Sequence, residues 1–196
     1  KLKEKGLEEN TLVIFTSDNG PHEEGGADPT FFGRDGKLQG LKRQCLEGGI
    51  RVPFIARWKG QVPAGSTNDH QLAFYDIMPT FAELAGVKDV AKRYRNPRLK
   101  NDYFDGISFV PTLTGKGVQH KHPYLYWEFH ETNQIGVRMG DWKLVVRKGV
   151  PALYNLETDL HEDHNVAAQH PEIVAKMVDI IKKEHTESNL FKVTLP

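Results

Sequence analysis

Asp18 and Asn19 are the first residues in this chain whose types and spacing could do chemistry. A carboxylate beside a carboxamide offers two hard oxygens to one cation, which suits Ca²⁺ or Mg²⁺ and not Zn²⁺. The plainer alternative is an Asx turn, in which Asp18 or Asn19 bonds its own backbone. The pair alone leaves both open. His22, Glu23 and Glu24 follow directly. Lys42, Arg43 and Glu47-Gly-Gly49 come later in the same irregular segment, residues 21–49. A loop of this length inside a compact domain is usually functional or disordered, and its charged, glycine-rich content favours function. Glu47 reads as the loop's anchor, and its two glycines permit backbone conformations closed to other residues. Arg51 reads as structural, paired to a carboxylate, and Cys45 as a small buried or idle thiol. His120, His122, His130, His161, His164 and His170 have no metal spacing and are expected mostly at the surface, with His130 a candidate to line a substrate cleft.

These residues need elements to position them. Thr11 to Thr16 is a β-branched and aromatic run, stopped by polar residues and Gly20. It predicts a strand buried on both faces, with Asp18 and Asn19 just past its end. In open α/β sheets ligands gather beyond the carboxyl ends of strands. Before it, residues 1–10 read as the tail of a helix with Gly6 as its C-cap. A helix tail feeding a central strand gives the expectation that the chain is part of a larger protein.

Arg51 to Trp58 is a second strand, with Pro53 near its entrance. Asp76 is a plausible N-cap, followed by an apolar stripe of Ile77, Phe81, Leu84 and Ala85. Pro79 fits the first turn and Gly86 a C′ cap. Met78 and Phe81 are expected in the core. Residues 88–100 are basic and read as a solvated loop. Asp105-Gly106 signals a turn, and Phe109 to Leu113 a short helical turn closed by Gly115.

The composition then shifts. Tyr124–Phe129, Gln134–Met139, Trp142–Arg147 and Ala152–Leu156 are four short strand-like runs. Gly140-Asp141 and Lys148-Gly149 mark turns between them. They predict a small antiparallel sheet with Val137, Leu144, Val146 and Leu156 facing a core. Pro171 opens a last helix whose stripe of Ile173, Val174, Met177, Ile180 and Ile181 covers one face of that sheet.

Composition narrows the class. The 196 residues carry 26 Lys plus Arg against 26 Asp plus Glu. A zero net charge points away from nucleic-acid binding and from a polybasic membrane surface. No apolar run approaches the ~20 residues of a membrane span. The polar start Lys-Leu-Lys-Glu-Lys does not read as a signal peptide. A single cysteine excludes an internal disulfide.

Several ordered motifs together resemble the formylglycine-dependent sulfatases. Asn10-Thr-Leu-Val-Ile-Phe-Thr-Ser-Asp-Asn-Gly-Pro21 looks like that family's metal-binding strand end. Residues 38–53, with Lys42 ahead of Glu47-Gly-Gly-Ile-Arg-Val-Pro53, resemble its next signature. Tyr75-Asp-Ile-Met-Pro-Thr-Phe-Ala-Glu-Leu-Ala-Gly86 and Asp105-Gly-Ile-Ser-Phe109 are similar to its later helix and turn. Arg138-Met-Gly-Asp-Trp-Lys-Leu144, Leu153-Tyr-Asn-Leu156 and Asn165-Val-Ala167 resemble its C-terminal subdomain.

The resemblance implies an α/β fold related to alkaline phosphatase. Residues 1–120 would be the C-terminal part of the catalytic mixed sheet with helices. Residues 121–196 would be a small four-stranded antiparallel sheet plus C-terminal helix. It also implies hydrolysis of a sulfate ester by a formylglycine nucleophile and a divalent metal, Ca²⁺ or Mg²⁺. By match, Asp18 and Asn19 are metal ligands, Lys42 is the catalytic lysine that contacts the sulfate, and His22 is a substrate contact. No Cys-x-Pro-x-Arg occurs, so the nucleophile lies outside this chain and the fragment alone is expected to be inactive. The implied partner is a sulfated small molecule or carbohydrate, in a periplasmic, extracellular or lysosomal setting. A phosphodiester or phosphonate monoester hydrolase of the same superfamily, or a non-catalytic carbohydrate-binding module, is the alternative. An incomplete sheet further predicts self-association around Leu12–Thr16 and Val52–Ile55.

Overall fold

The computed structural model describes residues 1–29, 31, 38–87, 90 and 105–196. The basic stretch 88–100 lies outside the described residues except for Val90. In chain order the elements are β1 (Val13–Thr16), α1 (Glu47–Ile50), β2 (Phe54–Arg57), α2 (Ile77–Leu84) and α3 (Val110–Thr114), then β3 (Leu125–Phe129), β4 (Gln134–Met139), β5 (Trp142–Arg147), β6 (Val150–Asn155) and α4 (Pro171–Glu184). They fall into two compact units. One comprises Lys1–Phe15 and Ile55–His122, the other Thr16–Phe54 and Pro123–Pro196. No described helix is long and apolar enough to cross a membrane.

In the first unit, the expected helix tail is a pair of 3-10 turns, Lys3–Lys5 and Glu8–Asn10, and Gly6 closes the first at φ 68°. Three residues make only one turn, too little to propagate an α-helix. β1 and β2 pair in a two-stranded sheet. The expectation that β1 is buried on both faces fails, because alternate residues face solvent. Val13 is 41% exposed, Phe15 64% and Ile55 on β2 62%. An apolar run specifies burial only where another layer covers it, and among the described residues this face has none.

Asp76 does more than precede α2. It is fully buried, and its carboxylate accepts the N–H groups of Ala73 (2.8 Å) and Ile107 (2.7 Å) and pairs with His122 Nε2 at 2.8 Å. The His122 side chain is only 8% exposed, so it is largely covered rather than free at the surface. Met78 and Phe81, expected in the core, are each 48% exposed. The buried face of α2 carries Pro79 and Thr80 instead. Thr80 donates to the Asp76 carbonyl (2.7 Å) and accepts the Phe109 N–H (3.0 Å), which ties α2 to the start of α3. Asp105-Gly106 marks a close approach. A Cβ on Gly106 would lie 2.0 Å from the Tyr75 carbonyl oxygen, so a side chain is excluded. Gly86 and Gly115 end their helices in the left-handed conformation, at φ 79° and 68°.

The second unit is built on the antiparallel sheet β3-β4-β5-β6. Its strands lie close to the four predicted runs. Ile135 stands opposite Val146, Val137 opposite Leu144, and Leu144 opposite Leu153. The period of two puts these residues on one face, where Met177, Ile180 and Ile181 of α4 bury them. Cys45 and Leu46 cover the other face, against Val145, Tyr154, Trp127 and Ala152. Arg138, Lys143 and Val145 share that second face, so the sheet delivers two cations to the segment that carries Glu47. Lys148 and Gly149 turn between β5 and β6 with φ of 50° and 81°, as a tight hairpin with two left-handed residues requires.

Candidate functional site

The site is assembled on residues 17–51 of the second unit. β1 ends at Thr16, and the turn after it is held by its own side chains. Ser17 Oγ donates to the Asn19 carbonyl, and Asn19 Nδ2 donates to the Gly20 carbonyl, both at 2.9 Å. The Gly20 N–H donates to the Gly49 carbonyl at 3.0 Å. A Cβ on Gly20 would lie 1.8 Å from the Gly48 carbonyl oxygen, so only glycine lets the two segments meet. Gly48 and Gly49 are needed for the same reason. A Cβ on either would fall within 2.6 Å of a backbone oxygen. Their use is close approach rather than an unusual φ.

This geometry bears on the Asx-turn alternative. Asn19 spends its amide nitrogen, not its oxygen, on the backbone. Among the described residues neither Asn19 Oδ1 nor the Asp18 carboxylate has a hydrogen-bond or ion-pair partner. The donor set therefore fits a hard cation as far as it goes: two oxygens, one charged and one neutral. Among the described residues no group of three His, Cys, Asp or Glu side chains is placed to complete a metal site.

His22 and Lys42 are brought together. They line one cleft of about 200 Å³ with Glu23, Glu24, Leu41, Arg43, Gln44 and Thr132. Asp18 and Asn19 do not line it. His22 Nδ1 accepts the Glu24 N–H at 3.1 Å. An accepting Nδ1 carries no proton, so the neutral ring holds its proton on Nε2. The Lys42 N–H donates to the Pro21 carbonyl at 2.8 Å, which clamps the two arms of the loop. Lys42 Nζ lies 3.1 Å from Glu24 Oε2, and Arg43 pairs with both Glu24 and Glu131. The Lys42 ammonium first, and Arg43 after it, hold the Glu24 carboxyl below the usual range.

The segment that carries Lys42 and Arg43 runs on to Glu47, which is pinned by a buried ion network. Glu47, only 1% exposed, receives Lys143 Nζ at 2.8 Å, Arg138 Nη1 at 3.0 Å and Arg51 Nη1 at 3.8 Å. Burial opposes its ionisation, but Lys143 and Arg138 outweigh burial and keep its carboxyl below the usual range. The Glu47 N–H donates to Glu162 Oε2 at 2.7 Å. The anchoring role of Glu47 and the pairing of Arg51 are as the sequence suggested. Burial raises the Cys45 thiol to about 11, so at neutral pH it is a protonated, shielded thiol and not a nucleophile. His130 packs edge-on against Phe191 at 4.9 Å and is not among the residues that line the cleft.

Sequence reasoning did not assign a role to Glu24, Arg43, Lys143 or Glu162. The alternation of β5 was the available signal for Lys143, a charged residue one position into a strand that is otherwise apolar up to its terminal Arg147. Arg43 sits between Lys42 and Glu47, but its left-handed backbone, φ 73°, leaves no trace in residue type.

The family model described as Sulfatase matches residues 1–87. The chain is 29% identical to an N-acetylgalactosamine-6-O-sulfatase of Bacteroides thetaiotaomicron over 92% of its own length and 37% of the relative's. It is 30% identical to human arylsulfatase A over 91% of its length and 39% of the relative's. Among solved structures, Ps i-CgsB in complex with k-i-k-neocarrahexaose superposes with a TM-score of 0.74 at 28% identity. That match covers all of this chain and 41% of the other. The chain thus spans about two fifths of the length of these relatives. Its architecture, with a small antiparallel sheet capped by a final helix, is that of the alkaline-phosphatase-like α/β fold these proteins share. By motif and by fold, this chain belongs to the sulfatase family.

Proposed function

We propose that this chain contributes the sulfate-binding side of a sulfuric ester hydrolase that acts on a sulfated carbohydrate. The observation that carries the proposal is the convergence of His22 and Lys42 on one cleft, on a loop anchored by the buried Glu47. The names of the relatives support the carbohydrate. One is an N-acetylgalactosamine-6-O-sulfatase, and another was solved with a neocarrahexaose.

A sulfate monoester gains charge on its equatorial oxygens and on the leaving oxygen as the S–O bond breaks. Fixed cations aimed at those oxygens lower the barrier because they bind the transition state more strongly than the ground state. Lys42 Nζ is a compact charge with three donors and suits a sulfate oxygen. His22, with its proton on Nε2, is able to donate to the leaving oxygen. Asp18 and Asn19 would hold a divalent cation through a carboxylate and an amide oxygen. When bound, Ca²⁺ or Mg²⁺ supplies charge to the sulfate oxygens and favours an ionised nucleophile. The nucleophile itself is no residue of this chain, since Cys45 is buried and no Cys-x-Pro-x-Arg is present.

The test is sulfate release from sulfated galactosaminyl and galactosyl oligosaccharides, measured by ion chromatography, with a polypeptide that joins this chain to a formylglycine-bearing sulfatase segment. Release that falls at least a hundredfold in Lys42→Ala is expected. Release indifferent to Lys42 would refute the assignment.

A further inference from the structure

One carboxylate spans two cations in the cleft. Glu24 Oε2 lies 3.1 Å from Lys42 Nζ, while Glu24 Oε1 takes Nη1 of Arg43. Each oxygen of a two-oxygen anion thus meets its own cation. One edge of a sulfate group presents two oxygens at similar spacing. The three side chains are all partly exposed, and ion pairs in water contribute little to stability. Stability is therefore a poor reason for the arrangement.

The two sides of this bridge are built differently. Arg43 is held. Its backbone sits at φ 73°, a region that side chains other than glycine rarely adopt and one that gathers at ligand clamps. The Thr132 hydroxyl donates to the Arg43 carbonyl at 2.6 Å, and the Gln44 N–H donates to the Leu41 carbonyl at 3.0 Å. Its guanidinium keeps a second partner, Glu131, at 3.1 Å. Glu24 is lightly attached. Gly25 and Gly26 follow it at φ 66° and 82°, and a Cβ on either would meet no atom within 4 Å. Apart from the two cations, its described anchors are the His22 ring and the turn bond from the Ala27 N–H.

We infer that Arg43 is, with Lys42, the second cation of a seat for one sulfate group, and that Glu24 is an internal competitor that fills this seat until a sulfate displaces it. The inference deepens the proposed function and rests on its assignment of the cleft to a sulfate ester. An arriving sulfate takes over both cations, and Glu24 leaves on its glycine turn. Glu131 stays on Arg43 and keeps the guanidinium aimed. A planar guanidinium fits such an oxyanion through paired N–H donors, which Lys42 does not offer. A neutral sugar has no charge with which to displace Glu24, so the competitor also filters for anionic ligands.

Calorimetric titration of the 196-residue chain with inorganic sulfate at low ionic strength tests this. Glu24→Gln removes the competitor and keeps the shape, and it should bind sulfate at least fivefold more tightly than the wild type. In that background Arg43→Gly removes the guanidinium while suiting the left-handed backbone, and it should weaken binding at least fivefold. Thermal denaturation of the double variant should match that of Glu24→Gln, which separates lost binding from lost folding. Sulfate affinity unchanged, lowered or undetectable in Glu24→Gln would overturn the inference, as would full affinity in the double variant. The readout is binding, so it stands apart from turnover. If the seat behaves as stated but no sulfate ester is cleaved, the proposed reaction fails alone.

Discussion

The Lys143 ammonium lies 2.8 Å from a Glu47 carboxylate oxygen, and both side chains are shut away from solvent. The alternation of β5 turns Lys143 inward, and α1 brings Glu47 down onto it. A buried pair of this kind gains little over an apolar packing, yet breaking it is costly because one charge is left without its partner. Lys143→Met should therefore destabilise the chain by about 3 kcal/mol, with Arg138 preventing a larger loss. Urea denaturation measures this, and a change below about 0.5 kcal/mol, the range of ordinary surface substitutions, would contradict it.

Glu162 gives stability an unusual pH dependence. Its carboxyl is buried, one of its oxygens has no hydrogen-bond partner, and burial pushes its pKa up to about 7 against the pull of Lys143. The folded chain then keeps this proton between roughly pH 4.5 and 7, where the unfolded chain has lost it. Stability falls as pH rises through that window, by up to about 1.4 kcal/mol per pH unit from this group, and levels off above it. Glu47 is depressed instead, so its contribution is lost only as pH falls below the ordinary carboxylate range. Glu162→Gln mimics the protonated acid and should flatten the profile between pH 5 and 7. Parallel profiles for variant and wild type would exclude the assignment.

By itself the chain should not turn over a sulfate ester. Cys45 is buried with its pKa raised to about 11, and the sequence holds no second thiol. The check is hydrolysis of 4-nitrophenyl sulfate with added Ca²⁺. Turnover that survives repurification and disappears in Lys42→Ala would show a nucleophile among these residues.

Calcium binding should be weak for a related reason. Asp18 and Asn19 offer one carboxylate and one amide oxygen, whereas Ca²⁺ takes about six to eight oxygens. Among the described residues no group of three or more His, Cys, Asp or Glu side chains is placed to hold a metal. Calorimetry should detect no Ca²⁺ binding in the micromolar range. A micromolar site abolished by Asp18→Ala would mean that the loop supplies the missing oxygens.

How much of this was legible in the sequence follows from what each residue depends on. The strands β3 to β6 and the helix α4 declare themselves, because alternation and a 3.6-residue stripe are local patterns that the packing then obeys. Glu47 as an anchor was legible from its place before two glycines. Its partners were not, because Lys143 and Arg138 lie more than 90 positions away in sequence. His122 and Asp76 meet across 46 positions, so a histidine without local spacing looked like a surface residue. Met78 and Phe81 show the opposite error. Apolar residue type predicted burial, but which face of α2 is covered depends on its neighbours. Arg43 was hidden for a different reason, since a left-handed arginine is imposed by the hydrogen bonds around it and not by its own preference.

Val13, Phe15 and Ile55 are 41%, 64% and 62% exposed on β1 and β2. Among the described residues each of these strands has a single strand partner, so each keeps a free edge beside an apolar face. A free edge pairs readily with another strand, and exposed apolar side chains beside it favour such a contact. Lysine and arginine on an edge are a common protection, but Arg57 and Lys59 are engaged with Glu8 and Glu9. The outer strands of the second unit's sheet, β3 and β6, also have one strand partner each, but both faces of that sheet are covered. The chain should therefore self-associate at tens of micromolar through the face around Val13, Phe15 and Ile55. Phe15→Glu should drive it towards the monomer by placing a charge where a second copy would pack. Light scattering with sedimentation velocity measures both. A wild-type chain that stays monomeric and unfolds cooperatively at that concentration would show that the exposed face does not need a partner. An associated chain indifferent to Phe15→Glu would place the contact elsewhere.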